Sequence, residues 1–310
     1  MATAQVEQHI ALNNILFATD FSGVSENALR YATALARSHA SQLHLVHVIP
    51  PEPWDQIPLE PLPKEIDRPW LDANLRMKQL AHNSRLQDVK HHEILERGRL
   101  PNTILKIIQR EEIDLMVLGT HGRTGLKRLF LGSVAEELFR SAPCPVLTVG
   151  PMVNPARSND LAIHRILCAI DFEPASVNAL PYALALADEN RCELLLMHVV
   201  TPMPVVEPGP FWYVGTDVNQ RQKVDQELIF ERLRKLVPVV PSSCQVQPIV
   251  KFDLVPEGIV KVAATCDVDL VVMGVKGSSP ALASASAHIP WATAHEVICG
   301  VKCPVLTVRS

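Results

Sequence analysis

The amino-acid sequence predicts an α/β protein built from two tandem copies of a small doubly wound domain, each with a five-stranded parallel sheet. Three observations predict it. First, Asn14-Ile-Leu-Phe-Ala-Thr-Asp-Phe21 reappears as Arg165-Ile-Leu-Cys-Ala-Ile-Asp-Phe172, so that Asp20 matches Asp171 at an offset of 151. His47-Val48 matches His198-Val199 at that offset, Gly119-x-x-Gly122 matches Gly274-x-x-Gly277 at 155, and Cys144-Pro-Val-Leu-Thr-Val149 matches Cys303-Pro-Val-Leu-Thr-Val308 at 159. A repeat unit of this length is a whole domain, longer than the units that stack into solenoids. Second, short apolar runs alternate with amphipathic stretches within each copy, as in a parallel sheet covered by helices on both faces. Third, 310 residues leave room for two domains of ordinary size. The copies occupy residues 1–150 and 161–310, joined by a short polar linker, residues 150–160, with two prolines.

Each element follows from its pattern. In the first copy, residues 15–19 are continuously apolar and suit a strand buried on both faces. A helix is predicted over 25–38, with Ala28, Leu29, Ala32, Leu35 and Ala36 on one face. Residues 43–49 form the second strand, and the proline-rich stretch 50–69 is expected to lack regular structure and to edge or cover a site. A helix over 76–87, a strand over 92–96 and a helix from Pro101 to about Glu111 follow, proline being tolerated in a first helical turn. Residues 115–118 form the fourth strand, 133–140 a helix and 146–149 the last strand. The second copy repeats the series with strands at 166–170, 194–199, 246–250, 270–273 and 305–308. Pro181, standing where the first copy has Arg30, implies a helix start near it or a kink.

Composition narrows the class of function. Hydrophobic content of 47% with 20% charged residues describes a well-cored soluble protein. A net charge of −4 without a basic run leaves no electrostatic footprint for nucleic acid. No stretch approaches a membrane span, and residues 1–14 do not read as a secretory signal, so no membrane partner and a cytoplasmic location are expected. Seven cysteines scattered through apolar segments read as reduced, buried thiols. The single close pair, Cys299 and Cys303, has neither a CxxC partner nor a nearby histidine cluster to support a metal or redox site.

Ligands of doubly wound sheets sit beyond the carboxyl ends of the strands, where the strand order reverses. In the first copy the chain there runs Gly119-Thr-His-Gly122-Arg-Thr-Gly-Leu-Lys-Arg-Leu-Phe-Leu-Gly132-Ser133. Glycines let backbone amides approach an anion, and the start of the following helix favours phosphate. Arg123, Lys127 and Arg128 add positive charge. Taken singly, Gly119 and Gly122 serve equally as a turn and Ser133 as an N-cap; together they point to phosphate binding. Asp20, at the end of the first strand, either meets a ligand or caps its own turn or the next helix. His121 reads as a solvated loop histidine, because no nucleophile accompanies it.

These residues carry a resemblance. Ala18-Thr-Asp-Phe-Ser22, His47-Val-Ile49, Gly98 with Pro101, and Gly119-x2-Gly122-x9-Gly132-Ser133 resemble the universal stress protein family, the last motif being that of its ATP-binding branch. The resemblance covers nearly the whole chain as a tandem pair. It implies a Rossmann-like sheet of the adenine nucleotide alpha hydrolase-like kind, with strand order 3-2-1-4-5. It implies ATP, carried with Mg2+, as the ligand. Asp20 would meet the ribose or adenine side with Ala18 and Thr19 beside it, and Val48 would contact adenine through its backbone. Gly119, Gly122, Gly132 and Ser133 would hold ribose and phosphates, Arg123 would add charge, Val134 and Ala135 would add amides, and Gly98 would lie near the phosphates. Single domains of this family pair through their last strands, and residues 146–149 and 305–308 suit such pairing within the chain, as a pseudo-dimer, or between chains, as a homodimer.

The second copy departs from this pattern. After Gly277 its loop has no Lys or Arg before Trp291, which stands in the place of Gly132, with Ala292 in that of Ser133. Asp253 falls near the place of Gly98 and is expected to add negative charge. This copy is expected not to hold ATP, serving either as a structural partner or as a site for a less charged ligand, and Phe211-Trp-Tyr213 either lines a pocket or packs on its own core. The function expected is an ATP-binding regulator of stress adaptation that is not an enzyme, with at most slow hydrolysis of ATP. The rivals are a scaffold that binds no nucleotide and an adenylate-forming enzyme.

Overall fold

The computed structural model describes residues 10–51, 67–120, 133–154, 162–202, 218–237, 243–276 and 292–309. Its first half runs β1 (Asn14–Ala18), α1 (Gly23–Ser38), β2 (Gln42–Ile49), α2 (Arg68–Ala81), β3 (His91–Arg97), α3 (Leu100–Arg110), β4 (Leu115–Gly119), α4 (Ser133–Ser141) and β5 (Val146–Val149). The second runs β6 (Arg165–Ala169), α5 (Pro174–Asn190), β7 (Glu193–Val200), α6 (Val218–Leu236), β8 (Gln245–Phe252), α7 (Val255–Thr265), β9 (Leu270–Val275), α8 (Ala292–Gly300) and β10 (Val305–Arg309). Each half is a parallel α/β sheet of the expected order, 3-2-1-4-5 in the first.

The two expected five-stranded sheets are one sheet of ten strands, ordered β3-β2-β1-β4-β5-β10-β9-β6-β7-β8. The join is antiparallel and lies within the chain: Thr148, Leu147 and Val146 pair with Val305, Leu306 and Thr307. An apolar edge strand is thereby paired instead of exposed. One buried cluster lies on the α1, α2, α5 and α6 face and runs through both halves, and a second lies beneath α3, α4, α7 and α8.

The duplication extends to backbone conformation. Among the described residues, six non-glycine residues have positive φ, and they are three matched pairs: Phe21 and Phe172 (61° and 65°), Ala40 and Arg191 (52° and 51°), and Glu112 and Asp267 (47° and 49°). The first pair turns the chain from strand into helix, and the others end helices in the left-handed region. Asp114 accepts from the amides of Asn13 and Asn14, and its counterpart Asp269 from those of His164 and Arg165, so each half fastens the start of its first strand in the same way.

Two expectations need correction. The helix expected over 76–87 begins eight residues earlier: Asp67 caps it by accepting from the Trp70 amide (3.1 Å), and Pro69 sits in the first turn, where no helical hydrogen bond is lost. A separate 3-10 turn, Ser84–Leu86, ends that region. Of the two readings of Pro181 the helix start is the one corrected, since α5 starts at Pro174 and continues through Pro181 to Asn190. Its buried alanine and leucine face supplies the tertiary packing that outweighs an interior proline.

Candidate functional site

The chain order reverses between β1 and β4, so the crevice that faces outward lies at the carboxyl ends of these strands. Ala18 stands in register with Val46 and with Leu118, which brings the residues that follow each of the three together. Thr19 continues the ladder, donating its amide to the Val46 carbonyl at 2.9 Å. Its buried hydroxyl faces inward: it shares a hydrogen bond with Ser25 Oγ (2.9 Å) and accepts from the Phe21 amide (2.9 Å). Thr19 therefore shapes the turn.

Asp20 does two things at once. Its Oδ1 accepts from the Ser22 amide at 3.0 Å, closing the local turn, and Ser22 in turn caps α1 by accepting from the Ser25 amide. Its Oδ2 is buried and has no hydrogen-bond partner. A buried acceptor left in this state costs about 1–3 kcal/mol, and it is one of the few such atoms among the described residues. An incoming hydroxyl or amine donor would satisfy it.

His47 and Phe21 close one side of this turn. The imidazole Nδ1 lies 2.8 Å from the Thr19 carbonyl, and its ring is tilted against that of Phe21 with centroids 4.5 Å apart. The pair was missed in the sequence as a feature of the site, although both residues recur at the offset of 151 as Phe172 and His198, whose rings are 4.8 Å apart. Val48 follows, its side chain buried in the core, so only its backbone is presented. The ladder between β1 and β2 ends at Ala18 and Val46, which leaves no β1 residue paired beside Val48.

Gly119 ends β4, paired with Val149. A Cβ there would lie 3.1 Å from the Val24 carbonyl, so its absence lets the first turn of α1 settle against the strand. Gly98 has a similar local reason: a Cβ would meet Thr103 Oγ1 at 2.3 Å, while its amide donates to Ile49. Ser133, Val134 and Ala135 open α4, which runs back toward β5 and so presents its N-terminus at the carboxyl edge of the sheet. Ala135 is buried and offers only its amide. Gly122, Arg123 and Gly132 lie outside the described residues. The structure thus brings Ala18, Thr19, Asp20, Val48 and Gly119 to one edge of the sheet, with Gly98 beyond β3 and α4 arriving from behind.

The matched site in the second half is differently wired. Ile170 replaces Thr19, and Ser176, freed from that partner, donates to Asp171 Oδ1 at 2.5 Å. The Glu173 amide donates to the same oxygen at 2.9 Å. Arg232 of α6 covers the Phe172 ring, its guanidinium carbon 3.9 Å from the centroid, a cation–π contact. A Cβ on Gly274 would come within 2.1–2.3 Å of the Ala175–Ser176 backbone, so this glycine is fixed by packing. Asp253 stands in the place of Gly98, since its amide donates to Val200 as that of Gly98 does to Ile49. Lys261 Nζ lies 2.7 Å from its carboxylate and holds it below the usual carboxylate range, so Asp253 stays charged and is paired by that ammonium. Trp291 and the loop before it lie outside the described residues.

Burial pushes the Cys144, Cys168 and Cys192 thiols up to about 12, far from the thiolate form. Among the described residues, no group of three His, Cys, Asp or Glu residues is placed to hold a metal ion, and no helix is long and apolar enough to cross a membrane.

Comparison with known proteins gives a consistent picture. The model of the universal stress protein family matches residues 12–150 and again 162–309. A universal stress protein of Methanocaldococcus jannaschii is 32% identical over 139 residues, spanning 44% of this chain and 80% of its own. One from Mycobacterium tuberculosis is 26% identical over 229 residues, 71% of this chain and 72% of its own. The crystal structure of a universal stress protein from Archaeoglobus fulgidus superposes with a TM-score of 0.67 at 18% identity, covering 97% of this chain and 99% of that one, which shows a shared fold across both halves.

Proposed function

The chain belongs to the universal stress protein family in each of its halves, and from that premise we propose that its first half binds ATP, carried with Mg2+, while its second half does not. The observation that carries the reading is the contrast between two matched aspartates. Both carry turn contacts on Oδ1, but Asp20 keeps its Oδ2 buried without a donor, whereas Asp171 is exposed and its Oδ1 takes both a hydroxyl and an amide. Asp20 would accept from the nucleoside, the Val48 backbone would flank the base, and the first turn of α4 with Gly119 would face the phosphates. A nucleotide supplies the negative charge that a helix N-terminus favours, and Mg2+ bound through the phosphates needs few protein ligands.

The nucleotide acts as a regulator in stress adaptation in the cytoplasm, biasing the shape of the first half, with at most slow hydrolysis. The second half completes a pseudo-dimer across the β5–β10 join. The experiment is to denature the purified protein and identify released nucleotide by mass. One equivalent of ATP per chain supports the reading and removes the nucleotide-free scaffold. Two equivalents, or none at millimolar ATP, refute it.

A further inference from the structure

At the join between the halves, on the α1 and α5 face, lies a cavity of about 620 Å3. It opens at the amino ends of the strands, the end opposite Asp20. Its volume falls in the range of roughly 300–1,000 Å3 typical of small-molecule sites. The lining is pseudo-symmetric: Tyr31 and Tyr182, Leu35 and Leu186, and the strand partners Leu147 and Leu306 occupy equivalent places in the two copies. These residues give the cavity an apolar lining that includes two aromatic rings.

The rim does not share that symmetry. In the last turn of α1 the chain reads Arg37-Ser-His39, and in the equivalent turn of α5 it reads Asp188-Glu-Asn190. Arg37 is engaged away from the cavity by Asp88. Asp188, Glu189 and Asp269 line the cavity against one guanidinium, Arg191, and one imidazole, His39. Ser243 donates to Asp188, His39 lies 3.4 Å from Glu189, and two amides donate to Asp269. Helices α1 and α5 both end here, and helix carboxyl ends carry negative partial charge. The field over an apolar pocket is therefore set for a cation, and tyrosine faces bind cations as well.

We propose that this cavity binds a small amphiphile with an apolar body and a protonated amine, the body lying between Tyr31 and Tyr182 and the amine meeting Asp188 and Glu189. The site is distinct from the one proposed for ATP and does not depend on it. Duplication within one chain is what permits it, since a symmetric dimer of identical halves would carry the same rim on both sides.

The probe is dansylcadaverine, a naphthalene sulfonamide with a primary amine on a short chain, titrated into the full-length protein by fluorescence. Saturable binding of one equivalent is expected. Leu35→Trp, at a half-buried position, should fill the cavity and abolish binding, with Leu186→Phe as a second filling variant should the first melt early. Asp188→Asn with Glu189→Gln should weaken the amine about tenfold or more, as expected on loss of a charge-assisted contact. The N-acetylated probe, which has no charge, should bind weakly and be indifferent to that double change. Absence of binding, binding that survives both filling variants in folded protein, or equal binding of the acetylated probe would each overturn the proposal.

Discussion

Alanine at the two matched aspartates should move stability in different directions. In Asp20→Ala the protein loses one hydrogen bond, from the Ser22 amide, and also loses a buried oxygen that has no partner. The bond contributes about 0.5–1.5 kcal/mol and the orphaned atom costs about 1–3 kcal/mol, so the ligand-free variant should be as stable as the parent or up to about 2 kcal/mol more stable. In Asp171→Ala two bonds to one carboxylate oxygen disappear with no such relief, and at this exposed position the loss should be about 1–2 kcal/mol. The assay is urea unfolding of nucleotide-free protein, followed by calorimetric titration with ATP and Mg2+. Asp20→Ala should weaken ATP by about 1.5–3 kcal/mol, roughly ten- to a hundredfold, as a charged acceptor is lost, while Asp171→Ala leaves affinity unchanged. Equal destabilisation by both changes, together with unaltered ATP affinity in Asp20→Ala, would refute the assignment of Asp20 as the ligand's acceptor.

Other outcomes follow from particular contacts. Gly274→Ala places a methyl within 2.3 Å of backbone that cannot give way and should destabilise by about 3 kcal/mol or more in urea, whereas Gly119→Ala, at 3.1 Å from the Val24 carbonyl, should lower stability by only about 1 kcal/mol. Gly150→Ala, which drives a methyl to 2.4 Å from the Ile298 carbonyl across the join, should split unfolding into two transitions seen by calorimetry. Burial lowers the pKa of His44, whose Nδ1 has no hydrogen-bond partner and lies 3.9 Å from Glu111. The unfolded chain then binds this proton first, so stability should fall as pH drops below about 6.5 toward the lowered native value, and His44→Gln should flatten that part of the profile.

Much of this arrangement is legible in the sequence because the duplication marks it. Strands such as β1 and β6 announce themselves as apolar runs, and the shared offset of 151 places Asp20 and Asp171 at equivalent ends. The start of α2 was hidden because proline reads as a breaker, while Asp67 and Pro69 together make a helix start. Pro181 misled for the same reason: its neighbours bury a continuous face that single-residue propensity does not weigh. The left-handed turn at Phe21 is invisible in composition, since a bulky aromatic rarely adopts that conformation. The division of labour between Ser25 and Ser176 is legible only once Thr19 and Ile170 are seen beside them. The cavity depends on how the halves meet, and nothing local to either copy reports it.

Because the last strands meet inside a single polypeptide, the union of the halves is a first-order event. Dilution cannot separate them, and the effective concentration of one half around the other is set by a short tether. Two identical subunits must accept every mutation twice, once on each side of their axis. This chain is released from that rule, so a charge gained by α5 stays where it arose, and one half can remain conservative while the other drifts.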